Sequence, residues 1–246
     1  MTKRLLVVVA VMVMAGCSGN GGPQQAPLTV FAASSLKTAF DRIGSRLQSS
    51  SHNIPTFSYA GTQTLTSQLT QGAPVDVFAS ADTAHMTVVQ DAGLLSGQPA
   101  IFAHNKLEIA VAKGNPKGIH SLADLARPGL VIVLADPSVP AGKYAAQALA
   151  KAGVVVRPAS LEQQVTGVMS KVVLGEADAG IVYVSDVVTS GQVEGVAIPD
   201  AQNMIADYPI AGLKGAQNQA GANAFISLVL SADGQAILKA AGFEAA

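Results

Sequence analysis

Apolar and polar positions follow two rhythms along this chain, and the switches between them mark out strand–helix units. Leu28 to Ala32 is a short apolar run; from Leu36 the period lengthens, so that Leu36, Ala39, Phe40 and Ile43 share one helix face. Thr56 to Ala60 predicts a second strand, followed by a helix carrying Leu65 and Leu69 and closed by Gly72. Val75 to Ala79 predicts a third strand, and Ser80-Ala81-Asp82 caps a helix that holds Met86, Val89 and Leu94. Three such units in succession predict a parallel sheet with helix N-termini gathered along one edge. Ligands in such sheets sit beyond the carboxyl ends of the strands.

Further along, Lys106 to Lys113 predicts a strand broken by Gly114-Asn115-Pro116, and Ser121 to Ala126 a short capped helix. Leu130 to Ala135 predicts another strand. Ser138-Val139-Pro140-Ala141-Gly142 then leads into a helix over Lys143 to Ala152, with Pro140 in the first turn, where its missing N–H costs nothing. A helix is predicted over Leu161 to Leu174, with Val165, Val168, Met169, Val172 and Val173 as its apolar set. Strands over Ala179 to Tyr183, Val193 to Ile198 and Tyr208 to Leu213, then helices from Ala222 to Ala241, complete the chain. The layout predicts an α/β protein of two lobes. Residues 28–105 and the returning segment 208–246 form the first and residues 106–207 the second, with two crossing strands as hinge and the ligand cleft between.

Composition narrows the class. With 49% hydrophobic residues in 246, there is material for a large core. A formal net charge of −1 argues against nucleic acid, which demands a basic surface. An anion bound by such a chain must be held by local dipoles. At the N-terminus, Lys3 and Arg4 precede the apolar run Leu5 to Met14 and then Ala15-Gly16-Cys17. This reads as a signal peptide over residues 1–16. Its end resembles a bacterial lipobox, which implies cleavage before Cys17 and a lipid on its sulfur; a plain secretory signal with an incidental cysteine is the alternative. Residues 17–27 are then a flexible tether rich in Gly, Ser, Gln and Pro. Cys17 is the only cysteine, so no disulfide forms within the chain.

Enzyme motifs are missing from the sequence: no G-x-S-x-G elbow, no P-loop and no G-x-G-x-x-G. His52, His85, His104 and His120 lie apart, without metal-ligand spacing, and read as surface or boundary residues. Asp76 and Asp82 read as a turn acceptor and a helix cap, ahead of a carboxylate pair. What remains are strand-to-helix junctions rich in hydroxyls and small residues: Ser34-Ser35, Gly61-Thr62-Gln63, Pro140-Ala141-Gly142 and the start of the helix after Leu161. Tyr183 adds a phenol at a strand end. Ser34 or Ser35 reads either as an ordinary N-cap or as part of an anion cradle, in which hydroxyls join free first-turn amides. Six or seven donors to an ionised guest, at about 1.5–3 kcal/mol each, give roughly 10–20 kcal/mol gross. That offsets several kcal/mol of desolvation.

Five stretches carry a family resemblance: VFAASSLKTAF (30–40), SYAGTQTLTSQLTQGAPVDVFASAD (58–82), LADPSVPAGKYAAQAL (134–149), ADAGIVYVSDV (177–187) and YPIAGLKG (208–215). With them the chain resembles the periplasmic molybdate-binding (ModA) family, the solute-binding components of molybdate ABC importers, over nearly all of its mature length. The resemblance implies a type II periplasmic binding-protein fold and a site that holds molybdate, and tungstate with it, through neutral donors and no cofactor. It implies hydroxyls from Ser35 and Thr62, backbone N–H groups from Ala141 and Val165, and the phenol of Tyr183. Gly61-Thr62-Gln63 departs from the family's usual serine run; threonine keeps the hydroxyl, and its methyl crowds the site. The implied partners are a membrane permease with its ATPase subunits. The protein is expected to be a monomer, tethered through Cys17 to the outer face of the cytoplasmic membrane. Lys37 and Lys143, although next to these motifs, are not expected to touch the ligand. Two other readings use the same cleft: a secreted phosphatase- or sulfatase-like enzyme, and a receptor for sulfate or another small oxyanion.

Overall fold

The computed structural model describes residues 27–50 and 54–246. The expected signal peptide, Cys17, the tether up to residue 26 and His52 lie outside the described residues. The first three strand–helix units form as the hydrophobic pattern predicts: β1 (Leu28–Ala33), α1 (Lys37–Ser50), β2 (Pro55–Ala60), α2 (Thr62–Thr70), β3 (Val77–Ala79) and α3 (Thr83–Asp91). β1 lies between β2 and β3, parallel to both. Successive strand residues face opposite sides of the sheet. Accordingly Val30, Ala32, Val77 and Ala79 join the main core, while Phe31 and Phe78 pack on the other face with Leu65, Leu69, Met86 and Val89.

The chain continues through β4 (Ala100–Ala112), β5 (Ile132–Ala135), α4 (Pro140–Lys151), β6 (Ser160–Glu162), α5 (Val165–Val173) and β7 (Ala179–Tyr183). It ends with α6 (Val184–Ser190), β8 (Val193–Ala197), β9 (Ile205–Gly212), α7 (Gln219–Leu230) and α8 (Ala232–Ala240). The strand order is β2-β1-β3-β9-β4-β7-β5-β6, with β8 also paired to β4. β4 binds two sets of neighbours. Ala100 to Lys106 run antiparallel to β9, and Leu107 to Ala112 run antiparallel to β7 and β8. β9 in turn pairs with β3 through Ile210 to Gly212. The result is a two-lobed α/β fold in which β4 and β9 cross from one lobe to the other, with a cleft between the lobes.

Several boundaries differ from the pattern, each for a local reason. The helix predicted from Leu161 begins only at Val165. Ser160–Glu162 is instead a strand, β6, parallel to β5, and Leu161 stands 46% exposed, outside the apolar stripe. Glu162 is held there by Lys171, 2.9 Å away. The strand predicted from Lys106 begins at Ala100, through a polar stretch in which Asn105 is buried because its side chain donates to Ser185 Oγ at 2.8 Å. The third strand is shorter than predicted. Asp76, just before it, keeps main-chain bonds to Thr29 and Leu213, and its carboxylate accepts the N–H groups of Thr29 (2.7 Å) and Asn218 (3.0 Å). α6 follows β7 with no intervening loop, so periodicity did not separate it from the strand.

Candidate ligand-binding site

Four helical segments begin around one cavity, and none of them has a side-chain cap. The N-cap positions are Ala33 before the 3-10 turn Ser34–Leu36, Gly61 before α2, Val139 before α4 and Gln164 before α5. Three helices that start elsewhere are capped: Asp82 accepts from His85 N, Asn218 from Gly221 N and Ser231 from Gly234 N. The first amides of a helix need acceptors from outside it, and that end carries partial positive charge. The cavity is therefore ringed by donors for which the chain itself provides no side-chain acceptor. Ala33, and neither Ser34 nor Ser35, takes the cap position, which leaves both buried serines inside the turn.

All five residues expected to bind the ligand, Ser35, Thr62, Ala141, Val165 and Tyr183, line this cavity of about 200 Å³, counted to its mouth. Ser34 lines it too, and none of the lining residues is cationic. Ala141 is the second residue of α4 and Val165 the first of α5, so each brings a first-turn main-chain N–H to the wall. Gly142 lets α4 start this close to β5: a Cβ there would lie 2.1 Å from the Asp136 carbonyl oxygen and 2.4 Å from that of Ala135.

Two of the hydroxyls have buried partners and the third has none. Thr62 Oγ1 accepts the Ala81 N–H at 3.3 Å, leaving its own proton free. Ser35 Oγ lies 3.0 Å from the buried Tyr208 Oη. Tyr183 Oη is buried without a hydrogen-bond partner. Such a group costs stability unless something absent from the chain satisfies it. Burial, reinforced by nearby Tyr208, pushes the Tyr183 phenol well above its ordinary pKa, so it stays protonated and able to donate.

Charged groups stand back from the cavity. Lys37 donates to Asp41 at 2.7 Å and lies over the Tyr59 ring, and Lys143 is exposed. Burial opposes ionisation of Asp82, but hydrogen bonds from the His85 side chain and N–H, with the positive Lys143 nearby, hold its carboxyl below the ordinary range. Asp82 thus serves as the predicted cap. His104 bonds Asp207 at 2.8 Å and His120 is exposed; among the described residues no group of His, Cys, Asp and Glu is arranged to hold a metal ion.

Two contacts escaped the sequence reading. Tyr208, on β9, supports Ser35 from outside the cavity wall, and only the strand crossing brings the two together. Gln63 Nε2 donates to the Gln163 main-chain oxygen at 2.8 Å, beside a close approach at Gly61, where a Cβ would lie 2.3 Å from the same oxygen.

Comparison with known proteins agrees with this architecture. Residues 28–244 match the family described as bacterial extracellular solute-binding protein. The molybdate-binding protein ModA of Mycobacterium tuberculosis is 43% identical over 249 residues, covering 96% of this chain and 95% of that protein. Among solved structures, the Azotobacter vinelandii periplasmic molybdate-binding protein superposes with a TM-score of 0.78 at 22% identity, covering 88% of this chain and 98% of that one. The sulfate-binding protein SubI of M. tuberculosis superposes with a TM-score of 0.79 at 19% identity, covering 89% and 86%. At such identities these two superpositions speak for the fold alone. The matched family, the 43% identity along almost the whole length and the two-lobed fold with its uncapped cleft lead to one assignment: the chain belongs to the bacterial extracellular solute-binding proteins, within the ModA family.

Proposed function

We propose that this protein is the extracytoplasmic receptor of an ABC importer, capturing molybdate in the cleft and delivering it to a membrane permease with its ATPase subunits. The observation that carries the reading is the contrast in capping: the 3-10 turn Ser34–Leu36, α2, α4 and α5 open on the cavity without a side-chain cap, and α3, α7 and α8, which start elsewhere, have one. A tetrahedral dianion supplies acceptor oxygens in every direction and would satisfy those amides together. Ser35, Thr62 and Tyr183 donate from side chains, Ala141 and Val165 from the main chain. Each donor to an ionised guest is worth about 1.5–3 kcal/mol. Tungstate, with the same shape and charge, is taken through the same contacts.

In this reading residues 28–105 with 208–246 close on residues 106–207. The receptor is a monomer without cofactor, secreted by the signal peptide and held at the outer face of the cytoplasmic membrane by lipid on Cys17. It is not an enzyme. The partner of Ser35 is the Tyr208 phenol, which burial keeps protonated, so no general base activates the serine.

The test is isothermal titration calorimetry of the purified protein with molybdate, tungstate, sulfate and phosphate, alongside hydrolysis assays with a generic phosphoester and sulfoester. One-to-one binding of molybdate and tungstate, tighter than either other anion, is the expected result. Robust turnover, or preference for sulfate, overturns the proposal.

A further inference from the structure

We infer that Tyr208, which lies behind the cavity wall, is a positioning residue that fixes Ser35 as a hydrogen-bond donor and thereby sets the site against protonated oxyanions; this rests on the oxyanion-binding reading above. The two hydroxyl oxygens lie 3.0 Å apart, and both residues are buried. A hydroxyl has one proton to give. Between Ser35 and Tyr208 one of the two protons lies on the shared line, and the direction it takes decides what Ser35 offers the ligand.

The surroundings of Tyr208 set that direction. Its ring is enclosed edge-on by Phe102, Phe243 and Tyr183, at centroid distances of 6.2, 5.3 and 5.9 Å. Among the described residues Ser35 Oγ is the one hydrogen-bond partner of the Tyr208 hydroxyl, and the nearby Asn105 side chain is engaged elsewhere, accepting the Lys106 N–H at 3.0 Å and donating to Ser185 Oγ at 2.8 Å. A phenol that accepted from Ser35 would leave its own buried proton without an acceptor, so Tyr208 spends that proton on Ser35. Ser35 then accepts from behind and turns its own proton to the cavity. Thr62 repeats the arrangement with a main-chain donor, accepting Ala81 N–H at 3.3 Å. The Tyr183 phenol, without a partner, completes a set of three outward protons.

A fully deprotonated oxyanion meets those three protons with lone pairs. Hydrogen phosphate carries an O–H of its own, which would meet the Ser35 proton where it needs an acceptor. Removing the Tyr208 hydroxyl lets the Ser35 hydroxyl rotate and present a lone pair, so discrimination should fall along with affinity.

The experiment is competition calorimetry at pH 7 on the purified full-length protein and its Tyr208→Phe variant, with molybdate and hydrogen phosphate as probes. The variant is expected to bind molybdate about tenfold more weakly, with phosphate affinity unchanged or increased, so that the affinity ratio drops at least as far. Ser35→Ala combined with Tyr208→Phe should bind molybdate no more weakly than Ser35→Ala alone, because the phenol acts only through that serine. Equal weakening of both anions, or additive losses in the double variant, overturns the inference by making Tyr208 a packing residue. Should Tyr208→Phe not fold, 3-fluorotyrosine at position 208 keeps the packing and strengthens the donor. The molybdate-to-phosphate ratio should then rise, and a fall refutes the idea. Wild-type protein that takes up no molybdate would instead sink the receptor reading itself, and this inference with it.

Discussion

The side-chain amide of Gln63 reaches across the cleft and donates to the main-chain oxygen of Gln163, 2.8 Å away. Gln163 immediately precedes Gln164, the N-cap of α5, so the bond ties the start of α2 to the start of α5 directly above the cavity. With residues 28–105 and 106–207 in the two lobes proposed above to close on each other, the bond acts as a clasp on the closed state. Gln63→Glu keeps the size but removes the donor and places a charge where the buried Oε1 already lacks a partner. The expected outcome is about tenfold faster molybdate release, followed by stopped-flow tyrosine fluorescence, since the chain has no tryptophan. Gly61→Ala should do more, because its Cβ would lie 2.3 Å from the Gln163 oxygen and hold the lobes apart. Unchanged release in both variants would show that the contact plays no part in retention.

Tyr183→Phe should separate binding from stability. Loss of one donor weakens molybdate binding by about 1.5–3 kcal/mol in calorimetry. The ligand-free protein should meanwhile melt at the same or a higher temperature, because the variant removes a buried hydroxyl that has no partner in the chain. A variant that loses stability but not affinity would place the phenol in the core, away from the guest.

Asp186 predicts a pH effect. It is buried, its Oδ2 accepts the Tyr183 N–H at 3.0 Å, and burial pushes its pKa up from 3.8 to about 7 against that hydrogen bond. Between those values the folded protein keeps a proton that the unfolded chain has released. This group's contribution to stability therefore declines as pH rises from about 4 to about 7 and is level beyond. Asp186→Asn, which keeps an acceptor for Tyr183, should stabilise the protein by roughly 2–4 kcal/mol at pH 8 and hardly at all at pH 4. Thermal melts at both values decide it: an equal gain at each pH would mean the carboxyl does not titrate in this range.

Lys143 offers a negative control. It sits beside the cavity motif on α4 but is exposed and absent from the wall. Lys143→Ala should leave molybdate affinity within about twofold at 0.15 M salt, with a slightly altered salt dependence. A loss as large as that of Ser35→Ala would mean that the guest is gripped by a cation after all.

Much of this was legible in the sequence because it is local. The apolar runs placed β1, β2, β5 and β7, and the strand-to-helix junctions carried the five cavity residues in short contiguous motifs. The rest depends on meetings between distant segments. Ser35 and Tyr208 are 173 positions apart and Gln63 and Gln163 are 100 apart, and no periodicity reports such pairs. β6 was read as helix because three residues are too few to establish alternation, and Leu161 happened to fall in phase with the apolar set of α5. The strand predicted from Lys106 starts earlier, at Ala100, and takes in Asn105, whose burial depends on Ser185, contributed by α6.

The missing caps have a thermodynamic consequence. A side-chain cap contributes about 1 kcal/mol to a helix, and the fold forgoes four of them on one small surface. The empty protein thus leaves its own secondary structure incomplete, and in the reading proposed above the guest would finish it as a shared capping group for these segments. Occupancy should then register as added heat resistance and slower amide exchange at the starts of α2, α4 and α5, so that a permease sensing only the firmness of those turns could tell a laden carrier from a vacant one.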